Sequence, residues 1–319
     1  MPADFSGYQA ALHSAAFFQQ PEPGLLRIGG PDRTAFLQRQ TTNDMRRLAA
    51  GQPLFTVLTS PTARILDVFY LLQEPETILV ITLPGRGAST ARFLKSRIFF
   101  MDKVTVQNAS SEFAQVDVIG PQAADRLKPL RVELASGTNQ GADFSFESGL
   151  VHVVRLSPAA GLGWRLLAPA EQTDALIARL TKLEIMPLDA ETYHVLRVEA
   201  GLPVSGNELN ESYTPLETGL EVAISSEKGC YTGQEIIARQ ITYDKVTQHL
   251  CGLRLENNVN PGDKVWAEGK TIGAITSTAL SPRLGSIALA ILKRPYHQPG
   301  TAVIVGEREE TGVVSGLPF

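Results

Sequence analysis

The sequence predicts an α+β protein built from two ferredoxin-like α/β units followed by a small C-terminal β-barrel. Two halves of the first 245 residues each carry a strand–helix–strand–strand–helix order, which is the ferredoxin-like pattern. From about Thr247 no helix-length periodicity remains, and short β-rich runs alternate with turns. The predicted limits are an α/β body over 1–50 and 113–245, an inserted α/β unit over 51–112, and a barrel over 246–319.

In the first half, helices and strands are predicted from the apolar runs and from the residues at which these runs begin and end. Pro31 and Asp32 suit the start of a helix that continues to about Arg39. Strands are predicted at 25–28, 55–58, 64–72, 77–83 and 104–106, with the third and fourth forming a hairpin around 74–76. The apolar spacing over 86–97 predicts a helix packed on this sheet.

The second half repeats the order without repeating the sequence. Strands are predicted at 114–119, 152–156 and 164–168, and helices at 121–130 and 171–183. The stretch 131–149 is rich in Gly, Ser and Asn and predicts a loop. In the C-terminal region, turns at 260–263, 268–270 and 298–300 separate the short strands.

Glu199 lies at an unfavourable position for an acid. Asp189 is suited to cap a helix that stops at Gly201, which puts Glu199 in the last turn. There the helix dipole disfavours an anion by ~0.3–1 kcal/mol. A ligand with an amidine-like edge, paired with the carboxylate at two points, would explain the acid. The alternative is a salt bridge with Arg197 or with a more distant arginine.

The chain contains two cysteines, Cys230 and Cys251, which is too few for a disulfide framework or for all the ligands of an iron–sulfur cluster. Cys251 lies in an apolar run and is predicted to be a core residue. Thr232 and Glu235 have the spacing of a capping box, which predicts a helix over 233–239 with Cys230 just before its N-terminus.

The surroundings of Cys230 permit two interpretations. The cation of Lys228 and the positive end of the predicted helix both favour a thiolate, and so a reactive cysteine. The alternative is a buried, inert cysteine in a tight turn. The residues alone leave both open.

Composition and motifs exclude several classes of function. The net charge of −4 and the pI of about 5.8 argue against a protein that binds nucleic-acid backbones. No run approaches the ~20 apolar residues of a membrane span, and a secretory signal is not evident. The five histidines lack metal-ligand spacing, and nucleophile-elbow, phosphate-loop and dinucleotide motifs are missing, the 161–164 segment included. A self-contained hydrolase, NTPase or zinc enzyme is therefore disfavoured.

A specific segment, 228–239, reads Lys-Gly-Cys-Tyr-Thr-Gly-Gln-Glu-Ile-Ile-Ala-Arg. It resembles the K-G-C-[FY]-x-G-Q-E-x-x-x-R signature of the YgfZ family, within the broader superfamily of the glycine-cleavage T-protein. Segments 36–44, 60–67, 197–203, 214–217 and 272–277 support this resemblance, with Ala63 standing where the family usually has Gly. The resemblance covers nearly the whole chain.

The resemblance implies a T-protein-like fold around a central channel that holds a tetrahydrofolate. It further implies a site without metal, in which two residues carry chemistry and four contact folate. The first two are Cys230 and Lys228, and the folate residues are Glu199, Tyr193, Tyr231 and Arg239.

The implied function is that of a folate-binding accessory protein for the assembly or repair of iron–sulfur clusters in client enzymes, including some that modify tRNA. The expected partners are folate and iron–sulfur client or assembly proteins, without direct nucleic-acid or membrane contact, in the cytoplasm. The alternative is a folate-dependent aminomethyl transferase like the T-protein. Residues 77–101 contain no Asp or Glu, so the catalytic aspartate that this alternative requires there is missing. A third alternative is a degenerate protein with an empty channel.

Overall fold

The computed structural model of the protein describes residues 5–132, 140–156 and 163–319. The chain forms two compact units, each assembled from separated segments. Unit 1 comprises Met1–Thr59, Asp67–Thr192 and Ala223–Thr232, and unit 2 comprises Ser60–Leu66, Tyr193–Val222 and Gly233–Phe319. The domain limits predicted above remain a prediction.

The elements follow one another along the chain as three groups. The first group is α1 (Ser6–His13), β1 (Ala16–Gln19), β2 (Leu25–Gly29), α2 (Arg33–Gln40), β3 (Leu54–Thr59), β4 (Ile65–Gln73), β5 (Thr77–Ile81), α3 (Gly87–Lys95) and β6 (Thr105–Asn108). The second is β7 (Phe113–Ile119), α4 (Ala123–Leu127), β8 (Gly141–Phe146), β9 (Gly149–Arg155), β10 (Trp164–Pro169), α5 (Thr173–Lys182), β11 (Met186–Pro187) and α6 (Ala190–Glu199). The third is α7 (Gln234–Thr242), β12 (Gln248–Leu255), β13 (Lys264–Ala267), β14 (Lys270–Ser281), β15 (Gly285–Lys293), β16 (Ala302–Val305) and β17 (Glu310–Ser315).

A five-stranded sheet has the order β3-β4-β5-β2-β6. The predicted hairpin is confirmed, since β4 pairs antiparallel with β5 and sets Tyr70 opposite Ile81. Strand β2 lies between β5 and β6 and is antiparallel to both. The predicted helices α2 and α3 are also confirmed, to within a few residues at their ends.

A six-stranded sheet has the order β11-β1-β7-β10-β9-β8. Its core lies between the strands and α5, where Leu176 and Leu180 are buried in one cluster with Val116, Val118 and Leu166. These five side chains have exposures of 0%, so the apolar stripe predicted over 171–183 is the core face of α5.

The loop predicted over 131–149 is wrong for 141–146, which form β8 and pair antiparallel with β9. Its small and polar residues alternate with aromatic ones, and Phe144 is buried in the sheet core. This alternation, rather than the composition, marks the strand. Residues 133–139 of the predicted loop, and residues 161–162 of the excluded dinucleotide segment, lie outside the described residues.

The predicted barrel is confirmed as a closed sheet of strands in the order β12-β15-β14-β13-β16-β17. Every pair is antiparallel, and β12 begins at Gln248, next to the predicted change at Thr247. Apolar side chains such as Val265, Ile275 and Leu292 fill the interior. Closure removes the unpaired strand edges that an open sheet exposes. Among the residues that the structure describes, no helix is long and apolar enough to cross a membrane.

Candidate functional site

The ammonium group of Lys228 is held by backbone oxygens of unit 1. The residue is 4% exposed, and its Nζ donates to the carbonyl oxygens of Gln38 at 2.8 Å, Thr41 at 2.5 Å and Asn43 at 2.7 Å. An ammonium group has three donors, so these contacts use all of them. Lys228 therefore anchors its own segment to the end of α2 and the turn that follows.

Burial shifts the pKa values of Lys228 and Tyr231, and a neighbouring cation shifts that of Asp44. Desolvation lowers the pKa of Lys228 to about 8, and the charge of Asp44 opposes that shift. A hydrogen bond from Arg46 lowers the pKa of Asp44 to about 2. The ring of Tyr231 has its centroid 5.0 Å from the Lys228 Nζ, and burial raises the pKa of this phenol to about 12. Tyr231 is thus a neutral ring against a cation.

The Lys228 segment, defined here as residues 223–232, is also fixed at both of its ends. At one end the hydroxyl of Thr42 donates to the carbonyl of Ala223 at 2.7 Å. At the other end the amide of Thr232 donates to the carbonyl of Arg39 at 3.2 Å, and the hydroxyl of Thr59 donates to the carbonyl of Thr232 at 2.6 Å. The segment is therefore anchored before, at and after Lys228.

Cys230 is a free, exposed cysteine between two of these anchors. The preceding Gly229 is also exposed, and a Cβ atom added there would meet no atom of the described residues within 4 Å. The buried, inert cysteine left open by the sequence is therefore not what the structure has at this position. Cys251 is the buried one: it is 5% exposed, and burial raises the pKa of its thiol to about 12.

The capping box predicted from Thr232 and Glu235 is wrong. Helix α7 begins at Gln234, and its N-cap is Gly233, at φ 85° with no side-chain hydrogen bond. Glu235 instead forms an ion pair with Arg239, one turn later, at 2.5 Å. Both of these side chains are well exposed, so Arg239 lies on the solvent side of α7.

Glu199 is 5% exposed at the end of α6 in unit 2. Its Oε1 accepts a hydrogen bond from the hydroxyl of Ser281, and its Oε2 lies 3.2 Å from Nη2 of Arg283. Of the alternatives left open above, the ion pair with a distant arginine is formed. Arg197 pairs with Glu208 instead, at 3.6 Å.

The helix that carries Glu199 follows the predicted limits. The carboxylate of Asp189 accepts a hydrogen bond from the amide of Thr192 at 2.7 Å, and Gly201 has φ 72° just beyond the helix. Tyr193 lies half-buried on the same helix. The structure thus groups the predicted residues into Lys228, Cys230 and Tyr231 on one segment of unit 1, Glu199 and Tyr193 on α6, and Arg239 on α7.

Asp67 is a buried acid that the sequence analysis did not select. It has no exposed surface; its Oδ1 accepts from the amides of Val68 at 2.8 Å and Leu83 at 2.9 Å, and the hydroxyl of Thr90 donates to its Oδ2. Desolvation raises the pKa of this carboxyl to about 6. The available signal was an acid inside the apolar run of β4.

Among the described residues, no group of three or more His, Cys, Asp or Glu side chains is arranged to hold a metal ion.

Comparison with solved structures identifies the architecture. The aminomethyltransferase T of the glycine cleavage system from Bartonella henselae superposes with a TM-score of 0.86, covering 98% of this chain and 88% of that one at 21% sequence identity. The predicted T-protein fold, with mixed α/β sheets and a C-terminal closed barrel, is therefore confirmed.

Comparison with protein sequences gives the family. The GCVT N-terminal domain matches residues 6–228, and the glycine cleavage T-protein C-terminal barrel domain matches residues 248–319. A putative chloroplastic transferase of Arabidopsis thaliana is 32% identical over 299 residues, covering 93% of this chain and 69% of the relative. A probable aminomethyltransferase of Natronomonas pharaonis is 31% identical over 340 residues, covering 100% and 92%. The chain therefore belongs to the glycine cleavage T-protein family.

Proposed function

We propose that this protein binds tetrahydrofolate and acts, like YgfZ proteins, as an accessory factor for iron–sulfur enzymes, using the thiol of Cys230. The observation that carries the proposal is the exposed Cys230, which lies between anchored residues in the segment that resembles the YgfZ signature. Anchors on both sides limit the positions that the thiol can take while leaving it accessible to a client protein or a cluster.

Lys228 contributes by positioning. Its three donors are all given to backbone carbonyls, so it fixes the loop that carries Cys230 instead of donating a proton to a reactant. Removal of its ammonium would leave three inward-facing carbonyl oxygens without their partner, which is costly in a buried place.

The folate half of the proposal depends on Glu199. A buried carboxylate is a suitable partner for the amidine-like edge of a pterin, to which it can bond at two points. Here the partner at Oε2 is Arg283, whose side chain is 53% exposed and so is free to move into solvent. Folate would replace Arg283 at this carboxylate. Tyr193, Tyr231 and Arg239 are the further residues that we assign to folate.

Calorimetric titration with tetrahydrofolate tests the proposal, using wild type, Glu199→Ala, Arg283→Ala and Cys230→Ala. Wild type and Cys230→Ala are expected to bind alike. Glu199→Ala is expected to bind ~10–100-fold more weakly, because a charged hydrogen-bonded contact is lost. Arg283→Ala is expected to bind at least as tightly as wild type, since its side chain competes with folate. No binding to wild type at millimolar folate would contradict the folate assignment.

A second candidate is a folate-dependent aminomethyl transferase. The names of relatives that align along almost the whole chain favour it, such as the probable aminomethyltransferase of Natronomonas pharaonis. The absence of Asp and Glu from residues 77–101, and the Lys228–Cys230 arrangement, favour the accessory factor. Turnover of an aminomethyl donor that persists in Cys230→Ala would select the transferase.

A further inference from the structure

The C-terminal barrel carries an apolar groove that is separate from the residues discussed above. A cavity of about 1000 Å³ lies on strands β12, β13, β16 and β17, all in unit 2. Trp266 on β13 is opposite Ile304 on β16, and Ala302 on β16 is opposite Val313 on β17. These four residues, with Leu255 at the end of β12, are called here the groove floor.

The groove floor is exposed because successive side chains of each strand point alternately into the barrel and out of it. In β16, Val303 and Val305 are buried in the barrel core, whereas Ile304 faces outward and is 44% exposed. Val313 on the neighbouring strand is 46% exposed. Neighbouring apolar side chains that stay exposed in a folded protein commonly mark a binding surface. The volume is at the upper end of the ~300–1000 Å³ range of ligand pockets, so the groove has room for a large apolar side chain of a ligand.

The rim of the groove is negatively charged. Among the residues described, four exposed glutamates line it, Glu256, Glu268, Glu307 and Glu309, against one cation, Arg254. Within the described parts of the chain, none of the four carboxylates forms an ion pair. An apolar floor inside an acidic rim is complementary to an apolar side chain flanked by lysine or arginine.

We infer that this groove binds a basic amphipathic segment of a partner protein. One large apolar side chain of that segment packs on Trp266, Ile304 and Val313, and its flanking cations face the glutamates. The ring of Trp266 offers a face to a lysine or arginine as well. The inference goes beyond the proposed function, because it uses only residues of the barrel and neither Cys230 nor Glu199.

The protein contains its own probe for this binding. It has two tryptophans, of which Trp266 is in the groove and Trp164 is 4% exposed in the core of unit 1. We would titrate the full chain with the acetylated, amidated peptide Lys-Lys-Leu-Phe-Lys-Lys and follow tryptophan emission. A saturable change is expected at low salt, weakening by more than ~5-fold in 0.5 M NaCl because the rim contacts are screened. In the Trp266→Phe variant the fluorescence change is expected to disappear while calorimetric binding persists.

Two variants separate the groove from the rest of the barrel surface. Ile304→Asp is expected to abolish binding, because it puts a carboxylate on the floor. Leu280→Asp is the matched control, since Leu280 is an apolar barrel residue that is 64% exposed and outside the groove, and it is expected to bind like wild type. The double variant Glu307→Lys, Glu309→Lys is expected to bind more than ~5-fold more weakly.

Several results would overturn the inference. These are no saturable change at millimolar peptide, equal binding of the peptide with Glu in place of Lys, and unchanged binding in Ile304→Asp. A concentration-dependent dimer that Ile304→Asp dissociates would also overturn it, because the occupant would then be a second copy of the chain.

Discussion

Lys228 and Glu199 illustrate two ways of burying a charge in this protein. Lys228 is surrounded by carbonyl oxygens from residues about 190 positions earlier in the chain, whereas Glu199 has the half-exposed arginine Arg283. Neutral dipoles on a fixed backbone hold a cation permanently. The side chain of Arg283 is half-exposed, so it can leave Glu199 without becoming a buried unpaired cation, which is the exchange that the proposed folate binding requires.

The Lys228 anchor predicts a large loss of stability in Lys228→Met. Three carbonyl oxygens, of which those of Thr41 and Asn43 are in buried hydrogen bonds, would lose their donor, and we expect the free energy of unfolding to fall by ~2–4 kcal/mol. Urea unfolding of the purified protein measures it. The control is Lys270→Met, at an exposed lysine, with an expected change within ~0.5 kcal/mol. Equal unfolding midpoints for the two variants would contradict the anchoring role.

Asp67 predicts a stability that depends on pH. Its pKa rises from 3.8 in the unfolded chain to about 6 in the folded protein, so the folded state holds the extra proton between these values. Stability from this group is therefore complete below about pH 4 and falls as the pH rises through 6. The full loss is ~3 kcal/mol, at ~1.4 kcal/mol per pKa unit.

Asp67→Asn should remove that loss. The amide keeps an oxygen for the amides of Val68 and Leu83, and its nitrogen can donate to Thr90. We expect the variant to match wild type near pH 4 and to be ~1–3 kcal/mol more stable at pH 7.5. Urea unfolding at both pH values measures this. If the variant is less stable than wild type by the same amount at both pH values, ionisation of Asp67 does not destabilise the folded protein.

The sequence predicted the environment of a residue correctly where the signal came from its neighbours along the chain. Cys251 was expected in the core because its neighbours are apolar, and it is there. The surroundings of Lys228 and Asp67 were not predictable, because their partners come from distant segments and include backbone atoms, which carry no residue-type signal. The same reason explains why the sequence left the partner of Glu199 open.

At the scale of elements, the start of α7 is set by backbone geometry instead of a capping side chain. Gly233 has φ 85°, a conformation that costs an L-residue ~1–2 kcal/mol. We therefore expect Gly233→Ala to lower the free energy of unfolding by about 1 kcal/mol or more, as measured in urea. Thr232→Ala should change it by less than ~0.5 kcal/mol, because Thr232 makes its hydrogen bonds to the described residues through its backbone. A larger loss of stability in Thr232→Ala than in Gly233→Ala would indicate instead that the side chain of Thr232 caps α7.

Strands and helices with strong periodicity were predicted within a few residues, whereas caps and polar strands were not. For α5, β4 and β5, the spacing of the apolar residues is compatible with one type of secondary structure in which the apolar side chains are buried together. Strand β8 was missed because its Gly, Ser and Asp residues resemble a loop, and only pairing with β9 makes it a strand. A Thr-x-x-Glu capping box does close in this protein, at Thr214 and Glu217.

At the scale of the whole molecule, closure of the barrel predicts where backbone amides are best protected. Strands β14 and β15 are each paired on both sides, whereas β8 and β6 are edge strands of open sheets. Hydrogen exchange followed by mass spectrometry should therefore be slowest in β15 and fastest among strands in β8 and β6. Comparable exchange in β8 and β15 would contradict this expectation.

The architecture was predictable from sequence because its signals extend over many residues. The change in pattern at Thr247 marks the barrel, and one dense motif around Lys228 pointed to the right superfamily. Strand order could not be predicted from that pattern, since β1 pairs with β7 and β11 across more than 90 residues.

The interleaving of the two units has a consequence for biosynthesis. The last segment of unit 1 is Ala223–Thr232, and it follows a stretch that belongs to unit 2. When the ribosome has made the chain through Thr192, Lys228 has not yet been synthesised. Its ammonium group therefore cannot yet bind the carbonyl oxygens of Gln38, Thr41 and Asn43. Unit 1 is therefore completed only after the unit 2 segment Tyr193–Val222 has been synthesised, and until then the carbonyls at the end of α2 lack the ammonium of Lys228.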